Sequence, residues 1–390
     1  MRTKLTRIWL NGFKSFPYGA RPSDTSAPCE ADGQDGKVID FGDVTVLLGA
    51  NGAGKSNLVS FFRMLNFMTT GALQEFIGRY GGAGSLLHFG PQITPQMQAE
   101  VVFADGEKRT TYTMTMASAA PDTLIFTNEA IEFHREGYEN PQQVFLGAGH
   151  KESQLPAKAR DGDRTCQVVF ALLRNCRSYQ FHDTSETAKI RKSGYIEDSG
   201  YLRADAGNLA AYLYAMARRQ PEYYGRIVRT VRQVCPQFGD FVLRPSDQSP
   251  DYILLNWTER NYPDCLMGPH QLSDGTLRFM ALATLFLQPP TELPSVIVID
   301  EPELGLHPNA IAVLAGLIHG VTQRAQVVLA TQSETFVNHF DLSQIRPIEC
   351  RRGASAVLPL AAEEFAEWLE DYTTGELWEK NVFGGGPRYE

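Results

Sequence analysis

The sequence predicts an α/β protein in which strands and helices alternate, and two of three patterned stretches carry that prediction. Val44 to Leu48 is a short apolar run ending in a glycine-rich turn, and the segment after it, SNLVSFFRMLNFM, places apolar residues at helical spacing. Val296 to Ile299 and Val327 to Ala330 are two further apolar runs, separated by a helical pattern from Pro308 to Val321. Such alternation implies a parallel sheet, because a crossover is needed to return the chain to the same end. The third stretch departs from it. Between Ala99 and Phe133, alternation in AEVVFA, TTYTMTM and TLIFTNEAIEFH predicts an antiparallel sheet of three or more strands.

The remaining elements follow the same rules. Leu5 to Leu10 alternates like a strand, and Arg21 to Gly36 collects Pro, Gly, Ser and Asp, which reads as a mobile loop. From Lys151 to Val234 the texture is polar and helical. Asp205 and Asn208 are capping candidates before LAAYLYAMARR, and Pro221 suits the first turn before EYYGRIVRTVRQV. Gly268 to Gln288 predicts a loop and a helix. There is no internal repeat and no long heptad run. The expected division is 1–150 and 241–360 as two parts of one α/β domain, 151–240 as an inserted helical subdomain, and 361–390 as an acidic tail.

Composition bounds the function. A hydrophobic fraction of 43% supports a sizeable core, and a net charge of −9 means that any nucleic-acid contact must be local. The six cysteines, Cys29, Cys166, Cys176, Cys235, Cys265 and Cys350, show no CxxC pair or metal-ligand spacing and read as reduced thiols. The N-terminus has no apolar leader core, and no stretch approaches the roughly 18 apolar residues of a membrane span. The expectation is a cytoplasmic protein with no membrane contact.

GANGAGKS, Gly49 to Ser56, fits GxxxxGK[ST] and sits where its chemistry requires, after an apolar strand and before a helix. Gly49, Gly52 and Gly54 let backbone N–H groups converge on phosphates, with Asn51, Ala53 and Asn57 in the same cradle. Lys55 would neutralise the β- and γ-phosphates of ATP, and the Ser56 hydroxyl would ligate Mg²⁺. In VIVIDEPELGLHP, Asp300 ends a buried strand, where an acid is costly unless a cation or donor meets it, so it is the second expected Mg²⁺ ligand. Glu301 then stands beside the metal site as the candidate general base, the simpler alternative being a loop cap.

LSDGTLRF, Leu272 to Phe279, resembles the LSGG-type signature of ABC ATPases. Alone, a Ser-Asp-Gly triplet before a helix reads as an N-cap; in this order with the other two motifs it resembles the superfamily. That resemblance implies that Ser273 and Gly275 bind the γ-phosphate held by the opposite subunit, and hence a homodimer closed around two ATP molecules. Gln332 follows the strand VVLA, where the family usually has a histidine touching the γ-phosphate. Glutamine can donate a hydrogen bond but carries no proton or charge, so turnover is expected to be slow, unless Gln332 is an ordinary strand-end residue.

About 220 residues separate Gly49 from Leu272, against about a hundred in transporter subunits, which favours the SMC, RecF and OLD branch. NGFKSF, Asn11 to Phe16, resembles the first strand and turn of SMC and RecF heads, and by position implies nucleotide contacts for Lys14 and Ser15. The chain looks most like bacterial stand-alone ATPases with an ABC-type head, an AAA-family group often found beside defence or toxin-like genes. The quoted stretches extend to FHDTSET, YLRADAGNLAAYLY and ELWEKNVFGG. That resemblance implies regulation of a separate effector, a nuclease or toxin; a RecF-like DNA clamp and a transporter ATPase are the alternatives.

Charge adds one expectation. Lys151 to Arg232 holds 15 Lys and Arg against 9 Asp and Glu. Arg218, Arg219, Arg226, Arg229 and Arg232 cluster on the predicted helices 208–234, as a non-specific DNA contact or as a solvated or protein-facing surface. Ala361 to Glu390 carries 8 acidic and 2 basic residues with Trp368 and Trp378, which suggests a docking tail or a covering helix.

Overall fold

The computed structural model describes residues 2–19, 37–135, 137–138, 140–246 and 248–386. The expected loop Arg21 to Gly36, with Cys29, lies outside the described residues. The chain divides into two compact units, Met1–Arg177 with Asp341–Glu390, and Ser178–Phe340.

In the first unit, the alternating segments form a six-stranded antiparallel sheet. Its spatial order is Val38–Asp40, Lys4–Asn11, Gln96–Ala104, Lys108–Ala119, Thr123–Arg135 and Gln142–Gly147. Period-two patterning puts Tyr112, Met114 and Met116 on the covered face, with Tyr112 opposite Ile131 on one side and Val101 on the other. A second element pairs Val44–Leu48 in parallel with Ile345–Arg351, and Ala354–Val357 returns antiparallel along the latter. Val44–Leu48 is buried at every position, which explains why it is apolar except at Thr45, whose hydroxyl accepts from Gly42 N at 3.1 Å. The helix Lys55–Thr70 buries Leu58, Phe61, Phe62, Leu65 and Met68 at helical spacing and ends at Gly71, whose φ of 69° provides the left-handed C-cap.

The second unit holds the parallel pair Val296–Asp300 and Gln326–Thr331, joined through the helix Pro308–Val321. Asp274–Leu287 is buried along most of its length. Leu209–Arg219 and Pro221–Val234 are helices as expected, with Pro221 in the first turn of the second. Asn208 is the N-cap residue of the first, but neither candidate's side chain makes the capping bond. Asp205 instead accepts from Gly207 N at 3.0 Å, and Asn208 accepts from Arg203 N at 2.9 Å while donating to the carbonyls of Asp198 and Tyr201. Two three-stranded sheets complete the unit, ordered Phe238–Val242, Asn256–Glu259, Tyr262–Met267 and Pro245–Ser246, Ser249–Ile253, Gly194–Tyr195.

The division falls differently from the expected 151–240 subdomain. Leu155–Arg160 and Arg164–Arg174 belong with the first unit, where Asn66 of the Lys55–Thr70 helix donates to Cys176 O. The helices after Asn208 belong to the second. Polar helical texture shows that helices form; it does not show which surface covers them. The acidic tail also divides. Ala361 to Asp371 is mostly exposed, whereas Leu377, Trp378 and Phe383 are buried, and the helix Thr374–Glu379 opens with a Thr373–Glu376 capping box. Among the described residues no helix is long and apolar enough to cross a membrane.

One buried carboxylate anchors the helices that lie behind the Lys55–Thr70 helix. Glu129, on the strand Thr123–Arg135, is fully buried and accepts from Tyr112 Oη at 2.6 Å, from Ser153 Oγ and from Gln154 N at 3.0 Å, just before Leu155–Arg160 begins. Removing it leaves several buried donors unpaired. Glu129→Ala is therefore expected to lower unfolding stability by about 3 kcal/mol in denaturant titration, and Glu129→Gln, which keeps one acceptor oxygen for the Tyr112 and Ser153 hydroxyls, by clearly less. Equal losses for the two variants would mean that packing, not the acceptor, sets the cost.

Candidate functional site

The phosphate-loop motif lies in the first unit where the buried strand Val44–Leu48 meets the helix Lys55–Thr70. Gly54, at φ 110°, is the N-cap of that helix, and a Cβ there would collide with Ser355 and lie 2.9 Å from Ser15 Oγ. Glycine is required by both conformation and space. Lys55 is 5% exposed, and its ammonium donates to the carbonyls of Gly49 at 2.6 Å and Ala50 at 3.0 Å. Asn51, Gly52 and Ser56 are exposed, while Ala53 is buried and Asn57 half-buried. The segment after Leu377 reaches the same loop, because Ala50 N donates to Gly385 O at 3.1 Å.

Ser15 is brought to this loop and Lys14 is directed elsewhere. Ser15 Oγ accepts from Asn57 Nδ2 at 2.6 Å and shares a hydrogen bond with Ser355 Oγ at 2.7 Å. Lys14, at φ 48°, donates to Ser60 Oγ at 2.7 Å and lies 5.0 Å from the Tyr80 ring centroid. Burial, with the nearby Arg63 charge, lowers its ammonium to about 8.

In the second unit, Asp300 ends the strand Val296–Asp300 at 7% exposure, and its Oδ1 has no hydrogen-bond partner among the described residues. Its carbonyl meets His182 Nε2 at 2.8 Å. Glu301 follows at φ 43°, a left-handed conformation costing about 1 kcal/mol for a non-glycine residue. Its N–H donates to Ala330 O at 2.8 Å, and its Oε1 accepts from Gln332 Nε2 at 3.1 Å. Asp300, Glu301 and Gln332 are thus gathered at the ends of two neighbouring parallel strands. A buried, unpaired carboxylate oxygen fits a hard divalent cation, and Mg²⁺ commonly takes only one or two protein carboxylates beside phosphates and water. Among the described residues no group of three or more His, Cys, Asp and Glu side chains forms a cage of its own.

The signature motif caps a helix, as its residues alone suggest. Ser273 is the N-cap of Asp274–Leu287, accepting from Thr276 N at 3.2 Å, and it remains exposed. Gly275 faces the loop after Glu301 so closely that a Cβ would strike Gly305 O.

The sequence reading missed the residues that support this motif. Arg191, 6% exposed, donates to Thr184 O at 2.7 Å, to Pro269 O, to Leu272 O at 3.2 Å and to Asp274 Oδ1 at 2.7 Å. Its guanidinium holds the Asp274 carboxyl below the ordinary carboxylate range. Arg278 donates to the carbonyls of Phe181 at 3.1 Å, His182 at 2.7 Å and Leu304 at 2.8 Å. FHDTSET therefore lies between the signature helix and the Asp300 loop, supplying carbonyls to two arginines and His182 to Asp300. The basic cluster on 208–234 is partly engaged: Arg226 pairs with Glu222, Arg232 donates to Gly239 O, and Arg218 donates to Tyr214 Oη at 2.8 Å.

Residues 266–338, which contain the signature, Asp300, Glu301 and Gln332, match the family described as "AAA domain, putative AbiEii toxin, Type IV TA system". No curated protein sequence matches the chain. Among solved structures, the chain is similar to the Smc head domain with an extended coiled coil, bound to the C-terminal domain of ScpA, from Pyrococcus furiosus. The TM-score is 0.60 at 14% identity, covering 95% of this chain and 99% of that one. It is also similar to an Smc head bound to the C-terminal winged-helix domain of ScpA, with a TM-score of 0.56 at 15% identity, covering 93% and 99%. The chain has the fold of an SMC/ABC-like P-loop ATPase.

Arg191 donates to the carbonyls and the carboxylate of the signature loop. Arg191→Ala is expected to lower kcat for ATP hydrolysis by about tenfold while leaving nucleotide affinity unchanged, measured by phosphate release and fluorescent-nucleotide titration. A matching loss of affinity would assign Arg191 to general folding of the head.

Proposed function

We propose that this chain is a Mg-ATP-dependent ATPase that closes as a homodimer around two nucleotides and thereby regulates a separate effector protein. The observation that carries the reading is the group formed by Asp300, with its buried oxygen unpaired, and Glu301, held by Gln332. Burying such an oxygen costs several kcal/mol unless a cation meets it, and the neighbouring carboxylate is then placed to take a proton from water.

In this reading the loop amides of Gly49 to Ser56, with Lys55, hold the phosphates, and Asn57, Ser15 and Ser355 keep the loop in shape. Ser56 and Asp300 hold Mg²⁺, which offsets charge on the phosphate oxygens. Glu301 is the general base. Ser273 and Gly275, at the N-terminus of a helix, complete the site of the opposite protomer, a position suited to an anion. Gln332 orients Glu301 through an uncharged hydrogen bond, which suits a slow ATP-driven clamp. The effector assignment, a nuclease or toxin in defence or DNA maintenance, draws on the toxin–antitoxin description of the matched family. The ScpA domains bound to the similar Smc heads also favour a protein partner. The engagement of Arg226 with Glu222 and of Arg232 with Gly239 O favours a protein-facing or solvated role for the basic helices over a DNA clamp.

Glu301→Gln preserves shape and cation binding while removing the base, so it is expected to bind ATP, lose nearly all turnover and accumulate as a dimer by light scattering in ATP. Ser273→Arg is expected to bind nucleotide normally and fail to hydrolyse it. A monomeric Glu301→Gln protein with normal turnover would contradict both the base assignment and the clamp.

A further inference from the structure

Glu303 is a buried carboxylate for which the proposed reaction has no use. It is 8% exposed, its Oε1 accepts from the Thr331 hydroxyl, and its Oε2 has no hydrogen-bond partner among the described residues. Burial, reinforced by the charges of Glu301 and Asp300, raises its carboxyl to about 7. An apolar side chain of similar size would avoid that desolvation cost, so fold stability alone gives no reason for an acid here.

What the acid does locally is fix a turn. Thr331 is fully buried at the end of the strand Gln326–Thr331, and its single hydroxyl proton goes to Glu303. That direction leaves a lone pair on Oγ1, which accepts from Ser333 N at 2.9 Å. Ser333 in turn accepts from Phe336 N at 3.2 Å and caps the next helix. The backbone is thus tied on both sides of Gln332, whose amide donates to Glu301 Oε1 at 3.1 Å. Glu301 and Glu303, two residues apart, meet the same three-residue turn from the other strand end.

We propose that Glu303 is a positioning residue for hydrolysis: by holding Thr331 it sets the turn that aims the Gln332 amide at the Glu301 carboxylate. This rests on the reading of Glu301 as the general base. Glu303 makes no contact with the reacting atoms in this role; it acts through Thr331 and Gln332. Either protonation state of Glu303 leaves an oxygen to accept from Thr331, so the acceptor oxygen is what matters.

The test is a mutant cycle on the full chain, with kcat and KM for ATP, nucleotide affinity and thermal melting measured for each protein. Glu303→Ala and Thr331→Val are expected to lower kcat by about tenfold without changing KM or affinity, and Glu303→Gln to stay within about twofold of wild type, because it keeps an acceptor oxygen. The decisive protein is Glu303→Ala combined with Gln332→Ala. If Glu303 works through Gln332, the double variant is no slower than Gln332→Ala alone; if the two losses multiply, the proposal is overturned. Should Glu303→Ala not fold, Thr331→Val combined with Gln332→Ala applies the same criterion. Glu301→Gln is the control. Normal turnover there overturns the base reading itself, whereas lost turnover there with multiplying effects at Glu303 and Gln332 overturns only the role of Glu303.

Discussion

Burying a formal charge costs several kcal/mol unless partners replace the lost water, and this chain buries charges just beyond two apolar strands. Past Val44–Leu48, Lys55 spends its donors on the carbonyls of Gly49 and Ala50. Past Ile299, Asp300 has an oxygen unpaired among the described residues and Glu303 another. The surrounding loops are shaped by this constraint. Gly54 is left-handed and leaves no room for a side chain, Glu301 sits in a strained backbone conformation, and Ser15, Asn57 and Ser355 form a hydroxyl and amide cluster beside the phosphate loop. Such concentrations of strain and imperfect satisfaction belong at functional sites, where a ligand can supply the missing partners.

The elements whose sequence pattern is local were legible. The helix Pro308–Val321 was bounded by its first-turn proline and apolar spacing, and the strands flanking it by unbroken apolar runs. The placement of GANGAGKS between a strand and a helix, and of Asp300 and Glu301 at a strand end, was legible because the spacing is tied to those element ends. Residues joined across long separations were not. Ser355 donates to Ala53 O from 302 positions away, and nothing in GASAV distinguishes it from a surface serine. Nothing in the sequence marks Arg191 or Arg278, since the three carbonyls that converge on each are dispersed along the chain. FHDTSET was visible as a distinctive stretch without a stated role, because its contribution is made largely through backbone carbonyls, which carry no residue identity.

The same interactions show how information can pass within the second unit. Arg278 lies on the signature helix and holds both FHDTSET and Leu304 in the loop after Glu301, while His182 of that stretch meets Asp300. A shift of the signature helix on meeting a partner's nucleotide would therefore act on the loop that carries the proposed base through a few hydrogen bonds, those donated by the Arg278 guanidinium being charge-assisted. Within the first unit, Gly385 plays a comparable part for the phosphate loop by accepting from Ala50 N. The buried end of the acidic tail is thereby part of the loop's support, and its exposed portion, with Trp368, remains available to a partner.

In the proposed dimer each ATP is held by the phosphate loop of one protomer and the signature of the other. Mixing two inactive proteins, Lys55→Ala and Ser273→Arg, tests it most directly. A mixed dimer contains one site with both defects and one built from an intact Lys55 and an intact Ser273, so the account predicts that ATP hydrolysis, absent from either protein alone, appears on mixing. If the mixture stays inactive although size analysis shows that mixed dimers form in ATP, the two motifs do not meet across protomers and the composite site is wrong.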